Sequence, residues 1–129
     1  MTVRLVVYGL LRRAGPMSHL LDGSEYLGEV ELYGYEMYDL GDFPGAVDGH
    51  GTILGELYEL PSPAILELLD EAEHVHAIPP LYRRELIDAK GEPAWIYVYD
   101  RVTESHTRIP SGDWFNRGSG HAGRPPESP

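Results

Sequence analysis

Apolar and polar residues follow one another along this chain in patterns that predict about six strands and one helix. Residues 2–8 are apolar at nearly every position, which is typical of a strand covered on both faces. The pattern favours an α+β domain whose sheet curls into an open barrel, with antiparallel pairing where the turns are short. Further strands are predicted over residues 26–32, 35–40, 52–60, 82–89 and 94–99, with Gly34 between the first two of these. Turns are predicted over 41–45, at Gly49 and Gly51, and over 90–93.

The single helix is predicted to begin after Ser62, whose side chain is a suitable N-cap, with Pro63 in the first turn. At about 100° per residue, five apolar residues fall within one arc of roughly 160°, which predicts the face that packs on the sheet. The residues of this predicted inner face are Ile65, Leu66, Leu68, Leu69 and Ala72. Three acids fall outside the arc and are predicted to face water, namely Glu67, Asp70 and Glu71.

Glu73 falls inside the apolar arc of this helix, between Leu69 and Leu66 in the angular projection. A carboxylate directed into apolar surroundings loses hydration, and its pKa rises by up to roughly 3–5 units when burial is complete. A pKa near neutral suits a group that accepts a proton and then returns it, so Glu73 is a candidate catalytic acid and base. The alternative is that the helix frays at Glu73 and that the side chain reaches solvent.

Composition and charge exclude several classes of protein. The chain has 129 residues, enough for one domain with a real core, and its 21 acidic and 10 basic residues give a net charge of -11. Such a surface repels phosphate backbones, so we expect no nucleic-acid partner. The chain has no cysteine, and the apolar N-terminal residues 1–11 are too short to span a bilayer. We therefore expect a soluble, cytoplasmic protein with no membrane partner.

The C-terminal composition predicts a domain boundary. Residues 117–129 are rich in Gly, Pro and Ser, so we expect a domain over residues 1–116 and a flexible tail over 117–129.

The histidines give no convincing metal site. His74 and His76 would form a facial triad with Glu73, but the sequence places no further ligand beside them and prolines follow. The expectation is that no metal is bound.

Seven short motifs follow one another between Val3 and Trp114. They are Val7-Tyr8-Gly9-Leu10-Leu11 and then residues 38–47, 55–59, 69–73, 82–84, 94–99 and 109–114. Each motif is weak by itself, but the seven in this order resemble the γ-glutamylcyclotransferase-like (AIG2-like) family. The resemblance implies a small mixed, mostly antiparallel β-barrel with flanking helices, in agreement with the α+β prediction.

The resemblance also implies an activity and a set of site residues. Known members of the family cleave a γ-glutamyl amide and release 5-oxoproline and a free amine, without a cofactor. The expected partner is therefore a small-molecule γ-glutamyl substrate. The family's catalytic glutamate falls on Glu73, its substrate-holding loop on Tyr8, Gly9, Leu10 and Leu11, and the tyrosine of its Tyr-x-Arg motif on Tyr82.

Two positions depart from the family's pattern, and they keep other functions open. The acid is usually followed by glycine, where this chain has His74, and the third loop residue is often Thr or Ser, where it has Leu10. One alternative is a binding module that holds a small γ-glutamyl or amino-acid-like ligand without turnover, and another is a structural or interaction domain. The leaving amine and the oligomeric state are not specified by the sequence.

Overall fold

In the computed structural model, the described residues are 3–73, 82–101 and 105–117. Within these ranges the chain forms six strands and one α-helix. The predicted strands 26–32 and 35–40 are parts of one long strand, and the short strand at Thr107–Ile109 has no predicted counterpart. Two short 3₁₀ turns occur at Ser18–Leu21 and Trp114–Asn116. The elements are, in order, β1 (Val3–Val7), β2 (Glu25–Asp39), β3 (Pro44–Leu60), α1 (Pro63–Ala72), β4 (Tyr82–Ala89), β5 (Glu92–Tyr99) and β6 (Thr107–Ile109). The predicted tail, except for Arg117, lies outside the described residues.

The strands form one sheet in the order β4-β5-β1-β3-β2-β6. Only β1 and β5 are parallel, and the other neighbouring strands are antiparallel. The sheet curls until side chains of β4 reach β2 and β3: Arg83 Nη2 lies 3.1 Å from Asp48 Oδ2, and the Tyr35 hydroxyl donates a hydrogen bond to Glu85. The result is a mixed, mostly antiparallel half-barrel, which confirms the predicted fold class.

Each face of the curled sheet has an apolar core. Val6 of β1 belongs to the inner core, whereas Leu5 and Val7 belong to the outer core, where α1 packs. The prediction that the first strand is covered on both faces is therefore confirmed. β5 also contributes to both cores, through Ile96 on one side and Tyr97 on the other. The strands β1 and β5 thus lie between the two cores.

The predicted strand break at Gly34 and the predicted turn at Gly49 and Gly51 both lie inside long strands. β2 continues through Gly34, and β3 continues through Gly49 and Gly51, so the predicted breaks at these glycines are wrong. Residues 49–51 of β3 stand opposite the single residue Gly34 of β2, which makes this point a bulge. Gly34 has a φ of 91°, in the left-handed region that favours glycine. The glycines therefore serve the bulge and do not end the strands.

The start of α1 agrees with the prediction. The Ser62 hydroxyl accepts a hydrogen bond of 3.2 Å from the Ala64 N–H, and Pro63 occupies the first turn. The helix has 10 residues. None of the described helices has the length and apolar character that crossing a membrane requires.

The buried face of α1 is rotated relative to the predicted arc. Leu68, predicted to face inward, is 66% exposed, and Ala72 is also exposed. Asp70, predicted to face water, is only 2% exposed. In the angular projection, the face that is buried or half-buried spans about 140° and has Glu73 near its centre. Its members are Ile65, Leu66, Leu69, Asp70 and Glu73.

Candidate active site

A cavity of about 320 Å³ lies between α1, the loop after β1 and the beginning of β3. Its volume is in the range of small-molecule sites, which is about 300–1,000 Å³. The structure brings all of the sequence-predicted site residues to the wall of this cavity. They are Tyr8, Gly9, Leu10, Leu11, Glu73 and Tyr82.

The loop after β1 lines the cavity with Tyr8, Gly9, Leu10 and Leu11. Its carbonyl groups are used internally: Gly9 O accepts from Arg12 N at 3.1 Å, and Leu10 O accepts from Met17 N at 2.9 Å. No hydrogen bond among the described residues uses the N–H of Gly9, Leu10 or Leu11. Unpaired N–H groups beside a cavity are suited to binding a carboxylate or an oxyanion.

Arg12 connects this loop to two residues that are distant in the sequence, Glu56 and Asp113. Its side chain is only 4% exposed, and its Nε donates to Glu56 Oε2 at 3.0 Å while its Nη1 donates to Asp113 Oδ1 at 2.7 Å. The other oxygen of Glu56 accepts from the Arg13 N–H at 2.8 Å, and the Phe115 ring lies 4.1 Å from the guanidinium carbon. These contacts connect the loop after β1 to β3 and to the residue that precedes the second 3₁₀ turn.

Gly9 is required by the packing of the loop. A Cβ atom at this position would lie 2.5 Å from Pro44 Cγ and 2.7 Å from Pro44 Cδ. A glycine at the end of a strand leaves room for another group beside the backbone, and at Gly9 that group is the Pro44 ring. The Pro44 carbonyl in turn accepts a 2.7 Å hydrogen bond from the Tyr82 hydroxyl. Gly9, Pro44 and Tyr82 therefore connect the loop to β3 and β4.

Three cavity tyrosines, Tyr8, Tyr82 and Tyr97, already have acceptors for their hydroxyl hydrogens. Tyr8 donates to the Tyr97 carbonyl at 2.7 Å, Tyr82 donates to the Pro44 carbonyl, and Tyr97 donates to Asp70 Oδ1 at 2.8 Å. Burial raises the pKa of all three hydroxyls above the ordinary value for tyrosine. The cavity tyrosines therefore stay protonated and position their surroundings.

Asp70 is buried because it has polar partners of its own. Asp70 Oδ1 accepts a hydrogen bond from the Tyr97 hydroxyl and also lies 2.7 Å from Arg84 Nε. The contact with Arg84 is an ion pair, because its geometry does not meet that of a hydrogen bond. The Arg84 guanidinium carbon lies 4.4 Å from the centre of the Trp95 ring. Hydrophobic periodicity cannot detect these partners, which explains why Asp70 was predicted to face water. Neither periodicity nor composition selects Asp70 or Arg12 as part of the site, although Asp70 lies within the 69–73 motif.

Glu73 is the C-cap of α1, and its N–H donates to the Leu69 carbonyl at 2.9 Å. The helix ends at Ala72, yet the Glu73 side chain lines the cavity and is not released to solvent. No hydrogen bond or ion pair from another described residue reaches its carboxylate, and burial raises its pKa from 4.5 to about 7. Its negative charge contributes to the raised pKa of each cavity tyrosine.

His74 and His76, which the sequence analysis considered as metal ligands, lie outside the described residues. Among the residues that the structure does describe, no group of three or more His, Cys, Asp or Glu side chains is arranged to hold a metal ion.

The family model for gamma-glutamyl cyclotransferase, AIG2-like, matches residues 5–116. The chain belongs to this family. It is 38% identical over 115 residues to a γ-glutamylcyclotransferase family protein, ytfP, of Citrobacter rodentium, covering 89% of this chain and 97% of that protein. The solution structure of ytfP from Escherichia coli superposes with a TM-score of 0.72 at 38% identity, over 89% of this chain and 98% of that one.

The half-barrel is thus the fold of γ-glutamylcyclotransferase-family proteins. The crystal structure of an uncharacterised Pyrococcus horikoshii protein superposes with a TM-score of 0.76 at 30% identity, covering 93% of this chain and 96% of that chain. The family expected from the seven motifs is confirmed. In this member, the cavity wall that carries Glu73 is stabilised by Asp70, and the loop opposite is stabilised by Arg12.

Proposed function

We propose that this γ-glutamylcyclotransferase-family protein cleaves a γ-glutamyl amide and releases 5-oxoproline and a free amine. The observation that carries the proposal is the Glu73 carboxyl, which lines the cavity without a polar partner among the described residues and has a pKa raised to about 7. The substrate's α-amine attacks its own γ-carbonyl carbon. Because the reaction is intramolecular, holding the substrate in a folded conformation supplies much of the acceleration.

Glu73 would act first as a base and then as an acid. As a carboxylate it accepts a proton from the substrate's α-ammonium group, and the freed amine forms a bond to the γ-carbon. The protonated Glu73 then donates that proton to the amide nitrogen as the carbon–nitrogen bond breaks. The carboxylate formed again accepts the extra proton of the ring nitrogen and passes it to the released amine, which leaves as an ammonium ion. A carboxyl with a pKa of about 7 is suited to both transfers near neutral pH.

The loop after β1 would bind the negatively charged groups of the substrate. The N–H groups of Gly9, Leu10 and Leu11 would donate to the glutamyl α-carboxylate or to the oxygen that becomes negative during attack. Tyr8 and Tyr82 would shape the pocket around the glutamyl chain, since their hydroxyls are bonded to backbone carbonyls. The reaction is complete with these groups and requires no cofactor.

A second candidate function is binding without turnover. It is favoured by Leu10, whose branched apolar side chain lines the cavity at a position where a hydroxyl is frequent in the family. A binding module would hold the glutamyl group in the same loop and would leave the amide intact. Calorimetry that shows saturable binding of γ-glutamyl compounds, with no product formed, would select this function.

The test is a mass-spectrometric screen of γ-glutamyl amides for release of 5-oxoproline. The wild-type protein is compared with Glu73→Gln and with Glu71→Gln, which changes an exposed acid two residues earlier. We expect Glu73→Gln to lose at least about 100-fold in rate while it remains folded, because proton transfer typically contributes 10²–10⁴-fold. Glu71→Gln should match the wild type. Near-normal product release by Glu73→Gln would refute the mechanism.

A further inference from the structure

The mouth of the cavity is mostly apolar. Met17 is 37% exposed, and Leu20 and Phe43 are half-buried, so these side chains belong to the part of the wall that reaches solvent. The same part includes Leu10, Ala72 and the half-buried acid Glu73. Tyr8 and Tyr82 lie deeper, because both are buried. If the loop after β1 holds the glutamyl end of a γ-glutamyl amide, the described wall left for the amine substituent is mostly apolar and includes Met17, Leu20 and Phe43.

No lysine or arginine occurs among the described residues that line the cavity. The two arginines nearest to the substrate-holding loop are engaged elsewhere. Arg12 is bound by Glu56 and Asp113, and the guanidinium carbon of Arg13 lies 4.2 Å from the centre of the Tyr26 ring. The free backbone N–H groups of the loop are needed by the glutamyl end itself. A second carboxylate on the substrate therefore has no partner in the described wall.

Building on the proposed γ-glutamyl chemistry, we propose that the amine released by this protein is apolar and has no carboxylate, as an alkylamine or arylalkylamine has. An apolar substituent gains from contact with Met17, Leu20 and Phe43 because it leaves water. The carboxylate of a γ-glutamyl amino acid or peptide would lose hydration at the same place without a compensating cation. The net charge of -11 acts against a further anionic group as well.

Two compounds that differ by one carboxylate test this substrate class. They are the γ-glutamyl amide of 3-methylbutylamine and γ-glutamyl-leucine, whose leaving amine is 3-methylbutylamine with a carboxylate added. We expect kcat/KM for release of 5-oxoproline to be at least about tenfold higher for the amide without the carboxylate, as is typical when a pocket cannot pair a charged group. Equal or faster turnover of γ-glutamyl-leucine would overturn the proposal.

A binding measurement separates this proposal from the proposed reaction. Calorimetry with Glu73→Gln gives the Kd of each compound without turnover. If the wild type releases no 5-oxoproline from either compound, the reaction is refuted, and a Kd at least about tenfold lower for the 3-methylbutylamide still supports the ligand class. An equal or lower Kd for γ-glutamyl-leucine, or binding of neither compound, would refute the ligand class.

A variant that adds a positive charge at the cavity mouth tests whether the preference for an amine without a carboxylate arises there. Met17→Lys places a cation where the carboxylate of γ-glutamyl-leucine would lie, and the backbone bond from Met17 to Leu10 is retained. We expect the kcat/KM ratio, or the Kd ratio, to shift by about fivefold or more toward γ-glutamyl-leucine. Leu68→Lys adds the same charge at an exposed residue of α1 that does not line the cavity, and it should leave the ratio unchanged. An unchanged ratio in Met17→Lys would contradict the assignment of the mouth.

Discussion

Asp70 and Glu73 lie one turn apart on the inner face of α1, yet their carboxylates have opposite surroundings. Asp70 Oδ1 accepts a hydrogen bond from the Tyr97 hydroxyl and lies 2.7 Å from Arg84 Nε. Glu73 has no such partner among the described residues, and burial raises its pKa to about 7. Two acids in different environments on one helix are suited to different tasks. We assign Asp70 to holding the site together and Glu73 to carrying the proton.

The raised pKa of Glu73 predicts a pH-dependent cost to stability. Between pH 4.5 and about 7, the unfolded chain loses the Glu73 proton while the folded protein still holds it, so the free energy of unfolding falls as pH rises. Glu73→Gln removes this dependence. We expect its stability relative to the wild type to increase by up to about 3 kcal/mol from pH 4.5 to pH 7 and to stay constant above.

Urea denaturation over a series of pH values measures this difference. Glu71→Gln serves as the matched control, because it changes an exposed acid on the same helix and should show no comparable trend. A Glu73→Gln curve that runs parallel to the wild-type curve from pH 4.5 to pH 8 would show that the acid is not buried.

Tyr97→Phe should destabilise the protein by about 1–2 kcal/mol, since it removes one hydrogen bond from a buried carboxylate. The affected bond is the one of 2.8 Å to Asp70. Chemical denaturation at neutral pH measures the change. Tyr33→Phe is the control, because Tyr33 is 78% exposed, and its change should stay within about 0.5 kcal/mol. Equal effects of the two substitutions would contradict the buried Asp70–Tyr97 contact.

Arg12→Met should cost about 3–5 kcal/mol, because it leaves the Glu56 carboxylate buried without its cation. The double variant Arg12→Met/Glu56→Gln should be less destabilised than Arg12→Met alone, since it keeps an acceptor for the Arg13 N–H but removes the buried charge. Urea denaturation of the two variants gives the comparison. A double variant that is less stable than the single one would argue against the assigned pair.

Gly9→Ala should destabilise the protein by about 1–3 kcal/mol through the clash of its Cβ with the Pro44 ring. A double-mutant cycle with Pro44→Ala tests the cause, because removing the ring atoms should relieve part of the cost. Additive effects of the two substitutions would show that the Pro44 ring is not what requires glycine at this position.

Local patterns in the sequence predicted the α+β fold class and the inward position of Glu73, whereas the family resemblance supplied the other five predicted site residues. Alternation identified the strands, and the angular projection of the helix found Glu73 without any structural information. The motif that contains Tyr8 and the one that contains Tyr82 were associated only through the family resemblance. Their convergence on one cavity follows from β1 lying beside β5 and β5 beside β4 in the sheet.

The contacts that support the site could not be predicted, because they join residues far apart in the chain. Arg12 meets Glu56 across 44 residues and Asp113 across 101 residues, and Asp70 meets Tyr97 across 27 residues. Periodicity assigns such acids to the surface, since it counts apolar positions and cannot identify a distant partner. The long strands β2 and β3 were divided for a related reason: a glycine in a bulge looks like a glycine in a turn.

The central claim is that Glu73 exchanges a proton near neutral pH inside the cavity. The most direct measurement is a carbon-13 NMR titration of its side-chain carboxyl, assigned by loss of the signal in Glu73→Gln. We predict a titration midpoint of about 7 in the protein without substrate. A midpoint near the ordinary value of 4.5 would contradict the account.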